Sequence, residues 1–422
     1  MEPVSHAAAK ERRMRFREYN LETDRAAAHR IWREIGWMDE GQEELLDLFF
    51  TGGRTWVAEL EGEPECLVQT TAASVRYLEE ELPASIVSTV TTSHVARQRG
   101  LARRLIAHLL ALDAANGALL SMLGHFDQGF YNQLGFGTGS YDVVFDFDPA
   151  TLTVSDRART PHRFTRDDWA VLHAAHLARR PVHGRCNLIS PMHFRVEMMH
   201  HKNCFGLGYC DTPDGSPSHC LWLDADNMSD GPYRVEWMVF HTSKQFRELM
   251  ALLRSLADQV RLIHLREAPG LQFQDLLSRP VRQRAITRRG SFENAAHAAG
   301  DWQVRLLDLA GALARTHLAG APVRFNLALH DPIADLLDDG ALWRGIGGEC
   351  VVELGEESRA TPGQAAGLPT LTASVNAFSR MWFGVRAASD LAYTDELSGP
   401  PELLQQLDET LRLPEPSPDC EL

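Results

Sequence analysis

The chain has 422 residues, with 42 basic and 57 acidic side chains and a formal net charge of -15. That length is enough for about two to four domains, each burying its own core. The acidic balance works against nucleic acid and anionic membranes as partners and favours cationic small substrates. Seven cysteines scattered without a regular framework point to reduced thiols and a cytoplasmic setting. No apolar run is long enough to span a bilayer, and Met1 to Arg13 lacks a signal-peptide core, so it reads as a disordered start.

The first domain, residues 1–150, opens with a strand at Met14 to Glu18 and helices at about Asp24 to Glu34 and Gly41 to Phe50. Strands follow at Thr55 to Leu60, Leu67 to Tyr77 and Ser85 to Val95. The segment Val90 to Ile106 then changes period, from β-branched alternation to apolar residues at Leu101, Leu105 and Leu109. A strand therefore runs straight into a helix whose first turn carries Arg97-x-x-Gly100-x-Ala102. No Ser, Thr, Asp or Asn stands before Arg97 to cap the exposed N–H groups, which leaves them free for an anion. Gly100 and Ala102 keep side chains away, and Arg97, Gln98 and Arg99 add donors and positive charge. The helix ends at Asn116-Gly117, a strand Ala118 to Leu123 follows, and then comes Gly129-Phe-Tyr-Asn-Gln-Leu-Gly-Phe-Gly137.

The loop resembles the acetyl-coenzyme A loop of the GNAT acyltransferases, and Phe130-Tyr131 to Phe136-Gly137 resembles their Y-x-x-x-G-F element. The resemblance implies that Val90, Thr91, Thr92, Arg97, Gln98, Arg99, Gly100, Leu101, Ala102, Phe126 and Asp127 hold acetyl-coenzyme A, with Tyr131 near the thioester. On the residues alone, Asp127 either lines the site or caps the short helix that follows.

The second domain, 151–300, repeats the coarse order. Helices at Asp167 to Leu177 and Pro191 to His200 precede a hairpin turning at Thr212 to Pro217, a strand Tyr233 to Phe240 and a helix Ser243 to Val260. Thr242-Ser-Lys-Gln245 is a capping-box pattern, so this helix satisfies its own N–H groups and has less need of a phosphate. One active site per chain is expected. His200, His201, Cys204, Cys210, His219 and Cys220 could supply zinc ligands, but no C-x-x-C occurs and the spacing is irregular, so no metal is assigned.

The third domain, 301–422, is expected to start with an amphipathic helix, Trp302 to Leu318. Strands at Val323 to Leu329, Glu349 to Glu353 and Thr372 to Val375 and a last helix, Pro401 to Leu411, complete an α+β unit. The runs Gly347 to Leu354 and Leu371 to Gly384 resemble a sterol-carrier-protein-type domain. Its apolar face either binds a lipid or packs against the rest of the chain.

Tandem GNAT folds, the second degenerate, followed by a sterol-carrier-protein-like α+β domain, make an α/β chain that resembles the enhanced intracellular survival (Eis) family of N-acetyltransferases. The Val304 to Leu313 segment contributes to that likeness. The resemblance implies a hexamer that acetylates primary amines on aminoglycosides, polyamines or lysine side chains. It also implies Tyr131 as general acid and the main-chain carboxylate of Leu422 as general base. Trp32, Glu34, Trp37 and Asp39 correspond to the amine pocket, with Glu421 beside the terminus. On the residues alone each of these reads first as part of an amphipathic helix and its following loop, with tryptophans as core anchors, and a Pro-rich end is ordinarily a frayed tail. A non-catalytic acetyl-coenzyme A or lipid carrier is the competing functional class.

Overall fold

A computed structural model describes residues 14–200, 202–280, 289–338, 340–420 and 422. The expected disordered start, His201 and Glu421 lie outside the described residues. Two compact units emerge: one of residues up to Ser140 with Cys186–Ser190 and Asp301–Leu422, the other of Tyr141–Arg185 and Pro191–Gly300.

The first unit is built on a mixed sheet of β1 (Met14–Glu18), β2 (Arg54–Leu60), β3 (Glu63–Tyr77), β4 (Glu80–Thr92), β5 (Leu120–Gly124) and β6 (Gly137–Thr138). The strand Trp302–Leu306 fits between β5 and β6, and Cys186–Leu188 pairs with β3. Helices α1 (Leu21–Glu34), α2 (Glu43–Phe50), α3 (Leu101–Ala115) and α4 (Gln128–Asn132) connect these strands. Leu101, Leu105 and Leu109 recur on one face of α3 and are buried with Ala58, Val68 and Val87 of the sheet. Each fully buried leucine contributes about 1.5–3 kcal/mol. On the other face, Val75, Ile86, Met122 and Val304 join Phe325, Phe378 and Trp382 in a single core.

Two features of β4 shape what lies at its end. Gln69 pairs with Ser88 while Leu67 pairs with Thr91, so Val68 faces two residues of β4, and Thr89 sits at φ 51°. A bulge of this kind bends its strand and re-aims the side chains beyond it. The parallel ladder between β4 and β5 covers only Ala84 to Ile86 against Leu120 to Met122, although β4 runs on to Thr92. Beyond the bulge the two strands are no longer partners.

The expected helix over Trp302 to Leu318 is corrected by the structure. Trp302–Leu306 is a strand antiparallel to β5, and a short helix, Leu309–Leu313, follows. The alternation Trp302, Val304, Leu306 is a strand period, and Asp308 stops it by accepting a hydrogen bond from Gly311 N at 3.0 Å. The remaining C-terminal strands order as Arg359–Pro362, Gly348–Leu354, Val323–His330, Thr370–Ser374 and Leu397–Ser398.

In the second unit, the strands Tyr233–Val239 and Ile263–Arg266 are parallel and are joined through the helix Ser243–Ser255. This is the connection that β4, α3 and β5 make in the first unit. The strand Asp142–Phe147 belongs to this second sheet, where it pairs with Ile263–Arg266. Thr242 Oγ1 accepts from Gln245 N at 3.2 Å, and Gln245 Oε1 accepts from Thr242 N at 3.1 Å. The capping box therefore forms, and the fold is mixed α/β, with the same parallel strand–helix–strand connection in each unit.

Candidate active site

At the end of β4 the chain makes one tight turn, His94–Ala96, and enters α3 through Arg97 to Gly100. The loop thus precedes the helix rather than forming its first turn. Gly100 is the N-cap at φ 75°, ψ 10°, and no side chain bonds the N–H groups behind it. Gln98 is also left-handed, at φ 61°. A Cβ on Gly100 would meet nothing within 4 Å, so the loop faces open space. Arg97, Gln98 and Arg99 are exposed around it, and the first turn of α3 holds no acidic residue. Bare N–H groups, the positive end of the helix dipole and two guanidinium groups suit a diphosphate. Thr89, Thr91, Ser93 and, on β5, Ser121 carry buried hydroxyl oxygens without a hydrogen-bond partner. Acetyl-coenzyme A fits this donor set.

Tyr131 lies on α4, 2% exposed, with the rings of Phe130 and Phe126 edge-on at 5.0 and 6.1 Å. Burial, and then the nearby Asp127 carboxylate, push its hydroxyl above the ordinary tyrosine range. The phenol therefore stays protonated, which a proton donor requires. Asp127 caps α4 by accepting from Phe130 N at 3.3 Å, and Phe126 is 70% exposed.

The Pro-rich tail is pinned at several points. Cys186 N donates to Pro418 O at 2.8 Å, Ser140 Oγ donates to Pro416 O, and the Cys420 thiol donates to Cys186 O at 3.5 Å. The Leu422 carbonyl carbon lies 3.0 Å from where a Cβ on Gly124 would stand, at the end of β5. Gly124, absent from the sequence expectations, is what admits the tail here. Its only sequence signal is a glycine closing a strand.

On the amine-pocket side the expected residues separate. Trp32 is half-buried, with Trp37 edge-on at 5.6 Å and Phe50 at 5.9 Å. Its Nε1 is buried without a hydrogen-bond partner. Trp37 is 44% exposed, and Asp39 is exposed. Glu34 turns to the loop between β4 and α3 instead, accepting from His94 N at 3.0 Å and from Arg30 Nη1 at 3.0 Å. Burial works against its charge, but these two donors hold the carboxyl below the usual range.

Among the described residues no group of three His, Cys, Asp or Glu side chains is arranged to hold a metal ion. Within the expected zinc candidates, Cys204 donates to Asp224 and His219 contacts Glu248 at 3.2 Å. A cavity of about 340 Å³ in the C-terminal segment is lined by Met381, Val385 and Leu407 together with Arg386, Asp408 and Glu415. None of the described helices is long and apolar enough to cross a membrane.

Residues 16–139 match a family model described as an acetyltransferase (GNAT) domain. Comparison with curated proteins gives no match. Among solved structures, the chain is similar to a GCN5-related N-acetyltransferase from Kribbella flavida, with a TM-score of 0.73 and 20% identity over 98% of both chains. It is similar to Eis1 from Mycobacterium abscessus, with a TM-score of 0.74 and 17% identity over 97% of this chain and 100% of that one. A GCN5-related N-acetyltransferase from Anabaena variabilis ATCC 29413 gives 0.75 and 13% over 96% and 98%. At these identities the likeness is one of fold. The uncapped helix start behind Gly100 and the buried Tyr131 both fall within residues 16–139, the stretch that matches an acetyltransferase (GNAT) domain.

Proposed function

We propose that the chain acetylates a primary amine of a cationic small molecule or lysine side chain, with aminoglycosides and polyamines as the first classes to test. The amine nitrogen bonds to the acetyl carbon, and the carbon–sulfur bond of the thioester breaks. An ammonium of pKa near 10.4 must first lose a proton, which costs about 4 to 5 kcal/mol at pH 7. In this reading the Leu422 carboxylate accepts that proton, and Tyr131 gives its own to the departing thiolate. Arg97, Gln98, Arg99, Gly100, Leu101 and Ala102 hold the diphosphate, and Val90, Thr91 and Thr92 line the parted edge of β4. Trp32, Trp37 and Asp39 face the amine, whereas Glu34 steadies the loop.

The observation that carries the reading is the contrast between two helices on equivalent connections. The helix behind Thr242 caps itself, while α3 opens behind Gly100 with no capping side chain. The tail oxygen at Gly124 supports Leu422 as the base. A cytoplasmic hexamer of Eis type, with modules at 1–150, 151–300 and a sterol-carrier-like 301–422, belongs to the same reading.

The test is thiol release from acetyl-coenzyme A with a panel of polyamines, aminoglycosides and lysine peptides. It is run beside Tyr131→Phe and a variant extended by two residues past Leu422. Amine-dependent release that falls in both variants supports the reading. Cofactor binding without release for every amine would favour the carrier class instead.

A further inference from the structure

The segment that carries Tyr131 is short, and it is gripped from outside. Leu134 N and Phe136 N both donate to Tyr131 O, at 2.9 and 3.3 Å, which folds Tyr131 to Gly137 into a compact turn. Gly135 within it is left-handed, at φ 84°, and a Cβ there would meet Val375 Cγ1 at 2.6 Å and Arg305 Nη1 at 2.8 Å.

Three side chains from the C-terminal segment hold this turn by its main chain. Asn376 Nδ2 donates to Asn132 O at 2.9 Å and to Phe136 O at 2.8 Å. Gln303 Nε2 also reaches Phe136 O, at 3.4 Å, and the side-chain amides of Gln303 and Asn132 meet at 2.6 Å. Arg305, with no exposed side-chain surface, donates from Nη1 to Leu134 O and from Nη2 to Asp331 Oδ2 at 2.7 Å. Asp331 is itself fixed, accepting from Ile333 N and Ile346 N at 3.1 and 2.9 Å. Every carbonyl involved sits within five residues of Tyr131, and the Phe136 ring itself packs edge-on against Tyr131 at 6.4 Å.

We propose that Asn376 is a positioning residue for the acetyl transfer, fixing the Tyr131 hydroxyl by clamping the carbonyls of Asn132 and Phe136, with Arg305 bracing the same turn at Leu134. This rests on the reading of Tyr131 as the proton donor. Its consequence is a catalytic task for residues 301–422: they are the template on which the acid-bearing turn is set. A main-chain clamp suits that task, because it fixes the backbone while leaving the phenol free of a competing partner. Asn376 is half-buried, so its replacement is tolerated more readily than that of the fully buried Arg305.

The experiment is a double-mutant cycle on the full chain, with Asn376→Asp, Tyr131→Phe and the double variant compared with the parent protein. Asn376→Asp keeps the shape but sets an acceptor against two carbonyls. Misplacing a catalytic group by about 1 Å lowers rate by up to roughly 100-fold, so kcat is expected to fall about 10- to 100-fold. Both KM values should stay within about twofold, because the cofactor loop is untouched. In the Tyr131→Phe background, Asn376→Asp should change kcat by less than about twofold. The alkaline limb of kcat should also move to lower pH in Asn376→Ala, which loosens the turn and admits water to the phenol without adding a charge beside it. An equal drop in both backgrounds, or a change confined to KM, overturns the proposal while leaving Tyr131 as the acid. A fully active Tyr131→Phe protein removes the acid assignment, and the positioning role with it. Should Asn376→Asp lose its thermal transition, Asn376→Ala removes the donors without adding charge and carries the same cycle.

Discussion

The carbonyl carbon of Leu422 packs against the open side of Gly124, 3.0 Å from where a Cβ would stand, so the tail ends on the last residue of β5. Only a residue without a side chain leaves room for it. Gly124→Ala must displace the tail, and it leaves the loop at Gly100 untouched. On the proposed reading of Leu422 as the base, we expect kcat to fall by about tenfold or more while acetyl-coenzyme A affinity is unchanged, since orientation of the base is lost rather than cofactor contacts. Steady-state kinetics beside calorimetry decides it, and loss of cofactor binding would argue for a different role for Gly124.

Gly100→Ala tests the cradle. The new Cβ meets no neighbour, but φ 75° is a left-handed conformation, which costs an L-residue roughly 1–2 kcal/mol. The loop relieves that strain by turning its N–H groups away from the diphosphate. Weaker acetyl-coenzyme A binding is expected, by about tenfold for 1.4 kcal/mol, together with a small drop in melting temperature. Unchanged affinity in titration calorimetry would remove Gly100 from the cofactor site.

The pH profile reports on Tyr131. Burial, then Asp127, raises its hydroxyl above the ordinary range, so the donor form persists as pH rises. A tyrosine in water titrates near 10. Thiol release followed across the alkaline range should show no loss of kcat up to about pH 10 from this group. A fall centred a unit or more lower would mean that another acid supplies the proton.

Acid should weaken the second unit. Burial lowers His193 to about 4, lowers His219, and with the Arg179 charge lowers His176 well below its ordinary value. The unfolded chain protonates these rings near 6.5, so between that pH and the folded values it binds more protons than the folded chain does. Stability is then intact above about pH 6.5 and falls as pH drops toward about 4, by about 1.4 kcal/mol for each unit of difference at each ring. Thermal unfolding at pH 7.5 and at pH 5, read by hydrogen exchange in residues 169–255, should show this segment losing protection first. Equal protection at both pH values would contradict it.

Much of the local structure around the candidate site was legible because its signals are local. The change of period at Val90 to Leu109, the missing cap before α3 and the capping box at Thr242 are each written within a few residues, and the main chain obeys them. The burial of Leu101, Leu105 and Leu109 follows from helical spacing alone. Even so, the helix start was misplaced, because a left-handed Gly100 forms the cap that sequence reasoning sought before Arg97.

What the sequence by itself determined is therefore the pair of strand-to-helix connections, one open and one self-capped, and the tyrosine element that follows the open one. Only the tertiary structure decided that Trp302–Leu306 extends the first sheet, that Glu34 bonds His94, that the tail ends at Gly124, and that Asn376 grips the turn after Tyr131. The reason is physical. Caps and periodicity are satisfied by neighbours along the chain, whereas strand partners and main-chain clamps are chosen between segments far apart in sequence, by which apolar faces close on one another and which carbonyls are then left to be paired.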